Sequence, residues 1–278
     1  MIFDVSLPIV LFLIMAATFL LYGKYERKMR SFLGGRELRL RDTVLIVVAI
    51  GVMVTILAFI PKLNIIRVFF LAVYCLVSFM FTYMVVPRWY LSILSPVAFL
   101  FLYFFYWNEY FLNLFAVIFV IYVSTYLAAL FTWKTVAGFA ALLTLMDMIQ
   151  VFGTQYMVKS SENLIMLELP AMIILPTFPA GFPEARIILG LGDVFLASLL
   201  VTQTTRKFGR KFGYVTAAIM STIFFVFETV LLNFLLGYFP ATVMVVCGWS
   251  VAVGIRYLWD HVHPNQKMLS FGKEAGTS

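Results

Sequence analysis

Charged residues are scarce in this chain, where Asp, Glu, Lys and Arg make up 12% of 278 residues. Soluble domains carry about 25%. Hydrophobic residues make up 63%, and the mean hydropathy is +1.02. This composition excludes an ordinary soluble enzyme and indicates a protein that crosses a membrane several times.

Cysteine and histidine are almost absent. Cys75 and Cys247 lie in apolar runs far apart in the sequence, without the spacing of a metal site or a disulfide framework, so we expect them to pack as small residues. His261 and His263 lie in the polar tail beside Asp260, where a solvated tail is a better interpretation than a metal site. We therefore expect no metal and no cofactor.

Long apolar runs dominate the rest of the sequence, and a spanning helix needs roughly 20 such residues. The first run has no basic residues before it, so we predict a membrane span rather than a removable signal peptide. The expected fold class is an all-α membrane protein, a polytopic bundle of nine transmembrane helices in a single domain over residues 1–278. The predicted spans cover about residues 6–22, 43–60, 67–86, 91–107, 111–131, 135–158, 186–203, 212–238 and 240–259.

Basic residues alternate between the two sides of the predicted bundle. The loops after spans one, three, five and seven, together with the C-terminal tail, hold 16 of the 20 Lys and Arg residues. The positive-inside rule then places the N-terminus outside and the C-terminus in the cytoplasm. The basic loop at residues 24–42 sets this topology and can attract anionic lipids. The net charge of +7 therefore points to a lipid bilayer and not to nucleic acid.

Three carboxylates lie inside the apolar runs: Asp147, Asp193 and Glu228. A carboxylate at the centre of a membrane helix costs about 2.5–3.5 kcal/mol on insertion scales and indicates function by default. The alternative for each is a structural group bonded to polar partners between helices. For Glu228, a structural role or a role in tuning the charge of the aspartates is the first interpretation.

Asp147 and Asp193 occupy consecutive antiparallel spans. Their distances from the predicted span ends correspond to about 16 Å and about 10 Å below the same membrane face, so the carboxyl groups can meet. Two carboxylates in a medium of low dielectric constant cannot both ionise easily, and they share a proton. This arrangement performs aspartic proteolysis, in which one carboxylate activates water and the other protonates the carbonyl oxygen.

Gly190 and Gly192 precede Asp193 and leave room for another backbone to approach, or they serve ordinary helix packing. Taken together, Asp147, the run Gly190-Leu191-Gly192-Asp193 and the pair Pro240-Ala241 resemble the motifs of the presenilin and signal peptide peptidase family of intramembrane aspartyl proteases. The archaeal presenilin homologues are the most similar members.

This resemblance implies a presenilin-like bundle that cleaves transmembrane segments or remnant signal peptides. Residues 1–134 would form a scaffold of five helices, and residues 135–278 would form the catalytic and substrate-gating part. Asp147 and Asp193 would be the catalytic residues. Two positions differ from the family pattern, because Met146 replaces a Tyr and Thr242 replaces a Leu. The substrate-binding residues would be Gly190, Leu191, Gly192, Pro240, Ala241 and Thr242.

The apolar segment at residues 168–176 is too short to span a membrane and is bounded by Pro170 and Pro176. It is either an extended segment near the site or a loop in the membrane interface. In the family, an unwound substrate pairs as a β-strand with the enzyme near the seventh helix. The counted orientation is similar to that of signal peptide peptidases and favours type II substrates, whose N-termini are cytoplasmic. The sequence leaves the oligomeric state open.

Other classes compete with this interpretation. A prepilin peptidase also uses a Gly-x-Gly-Asp carboxylate, but its first Asp is generally near the cytoplasmic surface, whereas Asp147 lies within an apolar run. A transporter or ion relay would use the buried carboxylates to carry protons or cations, although no repeated halves are visible. A noncatalytic scaffold would use them only to hold helices together.

Overall fold

The computed structural model describes residues 3–32, 34–59, 63–176, 186–234 and 239–262. Within these ranges the chain is a bundle of α-helices with one π-helical turn and one two-stranded sheet. The elements in chain order are α1 Ser6–Phe32, α2 Leu40–Phe59, α3 Leu63–Val85, α4 Trp89–Phe105, α5 Glu109–Ala128, α6 Trp133–Met148, the π-helical turn Ile149–Gly153, α7 Tyr156–Met166, β1 Met172–Pro176, β2 Arg186–Gly190, α8 Leu191–Phe208, α9 Arg210–Phe234 and α10 Ala241–Val262.

Seven helical segments among the described residues are long and apolar enough to cross a membrane. They are α1, α2, α3, α5, α6 with its π-helical turn, α9 and α10. The chain is therefore a multi-pass membrane protein, as expected. The other two predicted spans correspond to α4, an apolar helix of 17 residues, and to α8, which contains Asp193, Arg206 and Lys207. The count of nine spans stays a prediction.

Local sequence signals start and end several of these helices. Asn108 caps α5 by accepting a hydrogen bond from the amide of Phe111 at 3.0 Å. Thr132 and Thr135 form a reciprocal capping box at the start of α6. Gly209 separates α8 from α9 and has a φ of 90°, a conformation that glycine adopts without strain.

The predicted sixth span is wrong as a continuous helix over residues 135–158. Helix α6 ends at Met148, the π-helical turn follows, and α7 is a separate helix. The break falls in a short stretch containing Gly153, and Gln155 has a φ of 57°, which a helix cannot continue through.

The predicted seventh span begins too early. Residues Arg186–Gly190 form strand β2, and the helix begins only at Leu191. The β-branched pair Ile187 and Ile188 fits a strand that has a partner, and β1 supplies that partner. The last part of the predicted eighth span, residues 235–238, lies outside the described residues, as do residues 177–185 of the long connection and His263.

Strands β1 and β2 pair antiparallel, with Met172 opposite Gly190 and Pro176 opposite Arg186. Of the two alternatives for residues 168–176, the structure shows the extended segment, because Met172–Pro176 is a β-strand. The sheet ends directly at the start of α8.

Helix α8 forms the centre of the bundle and packs against α1, α5, α6, α9 and α10. Its side chains are almost all buried from Val194 to Thr204. Near its C-terminal end, the side-chain Nε2 atom of Gln203 donates to the carbonyl oxygens of Ala128 and Phe131 at 2.8 and 2.9 Å. Arg206 donates to the same two carbonyl oxygens. These bonds hold the C-terminal end of α8 against the end of α5. Asp193 lies at the other end of α8.

Candidate functional site

Asp147 lies one residue before the end of α6, on the stripe of that helix that faces the bundle. The buried positions Val136, Ala140, Leu143 and Asp147 repeat every three or four residues, as expected for one helix face. Asp147 is 7% exposed. The spanning segment of α6 and its π-helical turn ends at Gly153, so Asp147 lies six residues before that end and not eleven, as predicted.

Asp193 is the third residue of α8 and is 6% exposed. Its carboxylate folds back over the start of the helix, so that a Cβ atom on Gly190 would lie 3.2 Å from its Oδ2 atom. Gly190 has φ −65° and ψ 139°, which any residue adopts. Glycine at this position is therefore favoured by the tight space beside the Asp193 carboxylate and not by the backbone conformation.

Gly192 has a different environment. It is exposed, and a Cβ atom there would meet nothing within 4 Å. Leu191 is buried, and its amide donates to the carbonyl oxygen of Ala171 at 3.2 Å, which joins the sheet to α8. Of the three predicted substrate-binding residues in this turn, Gly192 alone offers an open face.

The structure brings the two aspartates together, since the carboxylates of Asp147 and Asp193 interact electrostatically. The start of α10 completes the arrangement. The backbone amide of Thr242 interacts with Asp193, and the buried Thr242 hydroxyl lies beside Asp147 without hydrogen-bond geometry. Pro240 and Ala241, which precede it, form the first turn of α10 and its entry.

Asp193 thus lies in the first turn of α8 and interacts with a backbone amide in the first turn of α10. The unpaired amides of a first helical turn carry partial positive charge and stabilise an anion. Among the residues that the structure describes, neither Asp147 nor Asp193 forms an ion pair with a basic side chain. No cluster of three or more His, Cys, Asp or Glu residues able to hold a metal ion occurs in this part of the chain either.

Glu228 lies apart from this pair. It is 7% exposed, and neither of its carboxylate oxygens has a hydrogen-bond partner within the described ranges. Its electrostatic neighbour is Asp4. Asp4 caps α1, where it accepts hydrogen bonds from the Ser6 hydroxyl at 3.0 Å and the Leu7 amide at 3.1 Å. Glu228 therefore belongs to the contact between α9 and the start of α1.

Met146, the departure from the family pattern next to Asp147, packs away from the site. Its terminal methyl group fills a notch on α2 that exists because residue 51 is glycine, and a Cβ atom on Gly51 would overlap that methyl group. Gln150 donates to the carbonyl oxygen of Gly51 at 3.2 Å. Met146 and Gln150, one residue before and three residues after Asp147, thus hold the end of α6 against α2.

Sequence reasoning missed Asn113 on α5. Its carboxamide makes hydrogen bonds with both backbone groups of Ile174 in β1. The one signal in the sequence was a single Asn inside an apolar span, because an amide in a membrane helix needs polar partners. The partner itself is 61 residues away in sequence and cannot be read from the pattern.

Comparison with models of known protein families gives no match, and no curated protein matches the chain.

Proposed function

We propose that this chain is an intramembrane aspartyl endopeptidase of the Gly-x-Gly-Asp type, which hydrolyses peptide bonds of transmembrane segments or remnant signal peptides. One observation carries the proposal: Asp147 and Asp193, from two different helices, are both buried and lie close enough to interact electrostatically. A buried carboxylate that serves structure is normally paired with a cation or saturated with hydrogen bonds. Facing a second carboxylate destabilises the fold and therefore calls for a chemical role.

The pair acts by sharing one proton. The ionised aspartate removes a proton from water while the water oxygen bonds to the carbonyl carbon, and the protonated aspartate gives its proton to the carbonyl oxygen. The resulting gem-diol then loses the peptide nitrogen, which takes a proton from the carboxyl group as the C–N bond breaks. At the same time the other carboxylate takes a proton from one hydroxyl of the gem-diol, so that the products are a carboxylic acid and an amine and the pair again holds one proton.

The surrounding backbone supports this chemistry. The N-termini of α8 and α10 stabilise the single negative charge of the pair without a basic side chain. The Thr242 amide acts on Asp193 directly. The contacts of Thr242 with both aspartates support the role in substrate positioning that the resemblance to presenilins implies for Pro240, Ala241 and Thr242.

Substrate access follows from the sheet and from Gly192. Unwinding a transmembrane helix frees backbone amides and carbonyls that need partners inside the membrane. A strand added to the sheet that leads into α8 supplies those partners. The open face of Gly192 then admits the scissile bond beside Asp193.

Purified protein in lipid vesicles, incubated with type I and type II membrane peptides, tests the proposal. We expect cleavage, inhibition by a peptide analogue of the tetrahedral intermediate, and a loss of at least about 100-fold in Asp147→Ala and Asp193→Ala, because each removes half of the acid–base pair. Asp260→Ala is the matched control, since that carboxylate pairs with Arg256 at 3.2 Å near the end of α10.

The competing functions give different results in the same vesicles. A transporter or ion relay shows proton or cation flux that Asp193→Ala abolishes, without peptide cleavage. A scaffold shows neither. Intact peptide after incubation with wild-type protein, or equal cleavage by wild type and Asp193→Ala, would overturn the protease proposal.

A further inference from the structure

The two strands have different outer edges. The outer edge of β1 faces α5, where the Asn113 side-chain nitrogen donates to the carbonyl oxygen of Ile174 at 2.6 Å. The Asn113 side-chain oxygen accepts from the amide of Ile174 at 2.8 Å. One carboxamide thus makes the pair of hydrogen bonds with Ile174 that a neighbouring strand would otherwise make.

These two bonds fix the hydrogen-bonding phase of the sheet. Because Ile174 directs both backbone groups towards α5, it cannot bond to Ile188, the residue opposite it. Bonded and non-bonded pairs alternate along antiparallel strands. The pair Ala171 and Leu191 lies three positions from the non-bonded pair Ile174 and Ile188, so the alternation makes it a bonded pair. The Leu191 amide does donate to the Ala171 carbonyl, which agrees with this phase.

The same phase determines what β2 presents. Ile188 and Gly190 stand in non-bonded pairs with β1, so their amides and the Ile188 carbonyl point away from β1 towards the other edge of the sheet. Ile188 is 45% exposed. The outer edge of β2 ends at Gly190, three residues before Asp193, whereas the outer edge of β1 contacts α5.

We propose that Asn113 is a positioning residue that closes the β1 edge to an incoming strand and holds the sheet in the register in which only β2 accepts substrate. This role rests on the proposed protease function. A peptide strand bonded to Ile188 and Gly190 is led to the catalytic pair. A peptide strand bonded to Ile174 would lie at the opposite edge of the sheet, with both β1 and β2 between it and the edge that leads to Asp193. Asn113 thereby restricts both where substrate docks and which peptide bond meets Asp193.

Amide hydrogen exchange tests the docking directly. The Asp193→Asn variant, labelled with ¹⁵N-isoleucine and ¹⁵N-glycine and reconstituted in nanodiscs, is measured with and without an uncut type II membrane peptide. We expect the Ile174 amide to be protected in both states, and the Ile188 and Gly190 amides to gain protection only with peptide. Rapid exchange at Ile174 without peptide, or peptide-induced protection of none of the β2 amides, overturns the proposal.

Product analysis tests the register. In Asn113→Leu, Ile174 loses both partners, so we expect products that differ by two residues, since a slip of two keeps each side chain on its face. We also expect kcat/KM to fall by about 10-fold or more through misplacement of the scissile bond. Asn113→Asp keeps the acceptor for the Ile174 amide but has no donor for its carbonyl, and it provides a second variant of nearly unchanged shape.

Asn108→Ala is the matched control, because Asn108 is an amide on the same helix with only a capping role. Its loss lowers thermal stability but leaves the cleavage position unchanged. Wild-type products from both folded Asn113 variants would overturn the role of Asn113 and leave the protease proposal intact. If Asp193→Asn still cuts the peptide, the protease proposal fails instead.

Discussion

Two glycines of one short motif have different physical roles. At Gly190 the space that a side chain would take is next to the Asp193 carboxylate, whose Oδ2 atom lies 3.2 Å from where a Cβ atom would be. At Gly192 the missing side chain leaves open space. The room that the sequence interpretation assigned to a substrate backbone is therefore found at Gly192, whereas Gly190 accommodates the Asp193 carboxylate.

Paired alanine substitutions separate these roles. Gly190→Ala presses a methyl group against Asp193 and tilts its carboxylate, so we expect kcat to fall by about 10- to 100-fold with little change in KM. Gly192→Ala leaves the carboxylates in place and narrows the open face, so we expect mainly a higher KM. Steady-state kinetics on one membrane peptide measure both. A larger fall in kcat for Gly192→Ala than for Gly190→Ala would contradict this assignment.

Among the helices, α9 and α10 approach each other closely. A Cβ atom on Gly248 of α10 would lie 3.0 Å from the Cα atom of Met220 on α9. The neighbour is backbone and cannot rotate away, as a side-chain end can. Close contact of this kind is how membrane helices associate without a hydrophobic driving force between them, and here it holds α10, whose first turn carries Thr242.

Alanine at Gly248 forces the two helices apart, and we expect a loss of about 1–3 kcal/mol in stability. Gly254, six residues later on α10, is the control, because a Cβ atom there meets nothing within 4 Å. Gly254→Ala should be neutral or stabilising by up to ~1 kcal/mol through helix propensity. Thermal unfolding in one detergent compares the two variants. Equal melting temperatures would show that the helices separate without cost.

For the whole molecule, the proposed protease function makes the orientation in the membrane a determinant of substrate choice. The basic residues predict an outside N-terminus and a cytoplasmic C-terminus, and the direction of a substrate strand through the site follows from that orientation. We propose a preference for type II peptides on this basis.

Terminal reporters test this orientation. In a bacterial host, a C-terminal green fluorescent protein should fluoresce and a C-terminal alkaline phosphatase should be inactive, because the first folds in the cytoplasm and the second outside it. The same reporters at the N-terminus should give the opposite result and serve as the internal control. An active C-terminal phosphatase would remove the argument for type II substrates.

Much of the architecture followed from composition and local pattern, because the bilayer forces apolar runs into helices wherever backbone groups must be satisfied internally. The same physics made Asp147, Asp193 and Glu228 conspicuous, since a carboxylate in an apolar run is costly. Helix ends were less predictable. The end of α6 at Met148 and the start of α8 at Leu191 depend on partners elsewhere, and the predicted boundaries missed both.

Sequence alone therefore determined the membrane class, most of the helices and the identity of the candidate aspartates, because these depend on each residue's transfer free energy and its near neighbours. Tertiary structure decided which carboxylates meet: it joined Asp147 with Asp193 and placed Glu228 beside Asp4. It also turned Arg186–Gly190 into a strand and gave Asn113 its partner in β1. Contacts between distant segments decide these features, and no local pattern carries them.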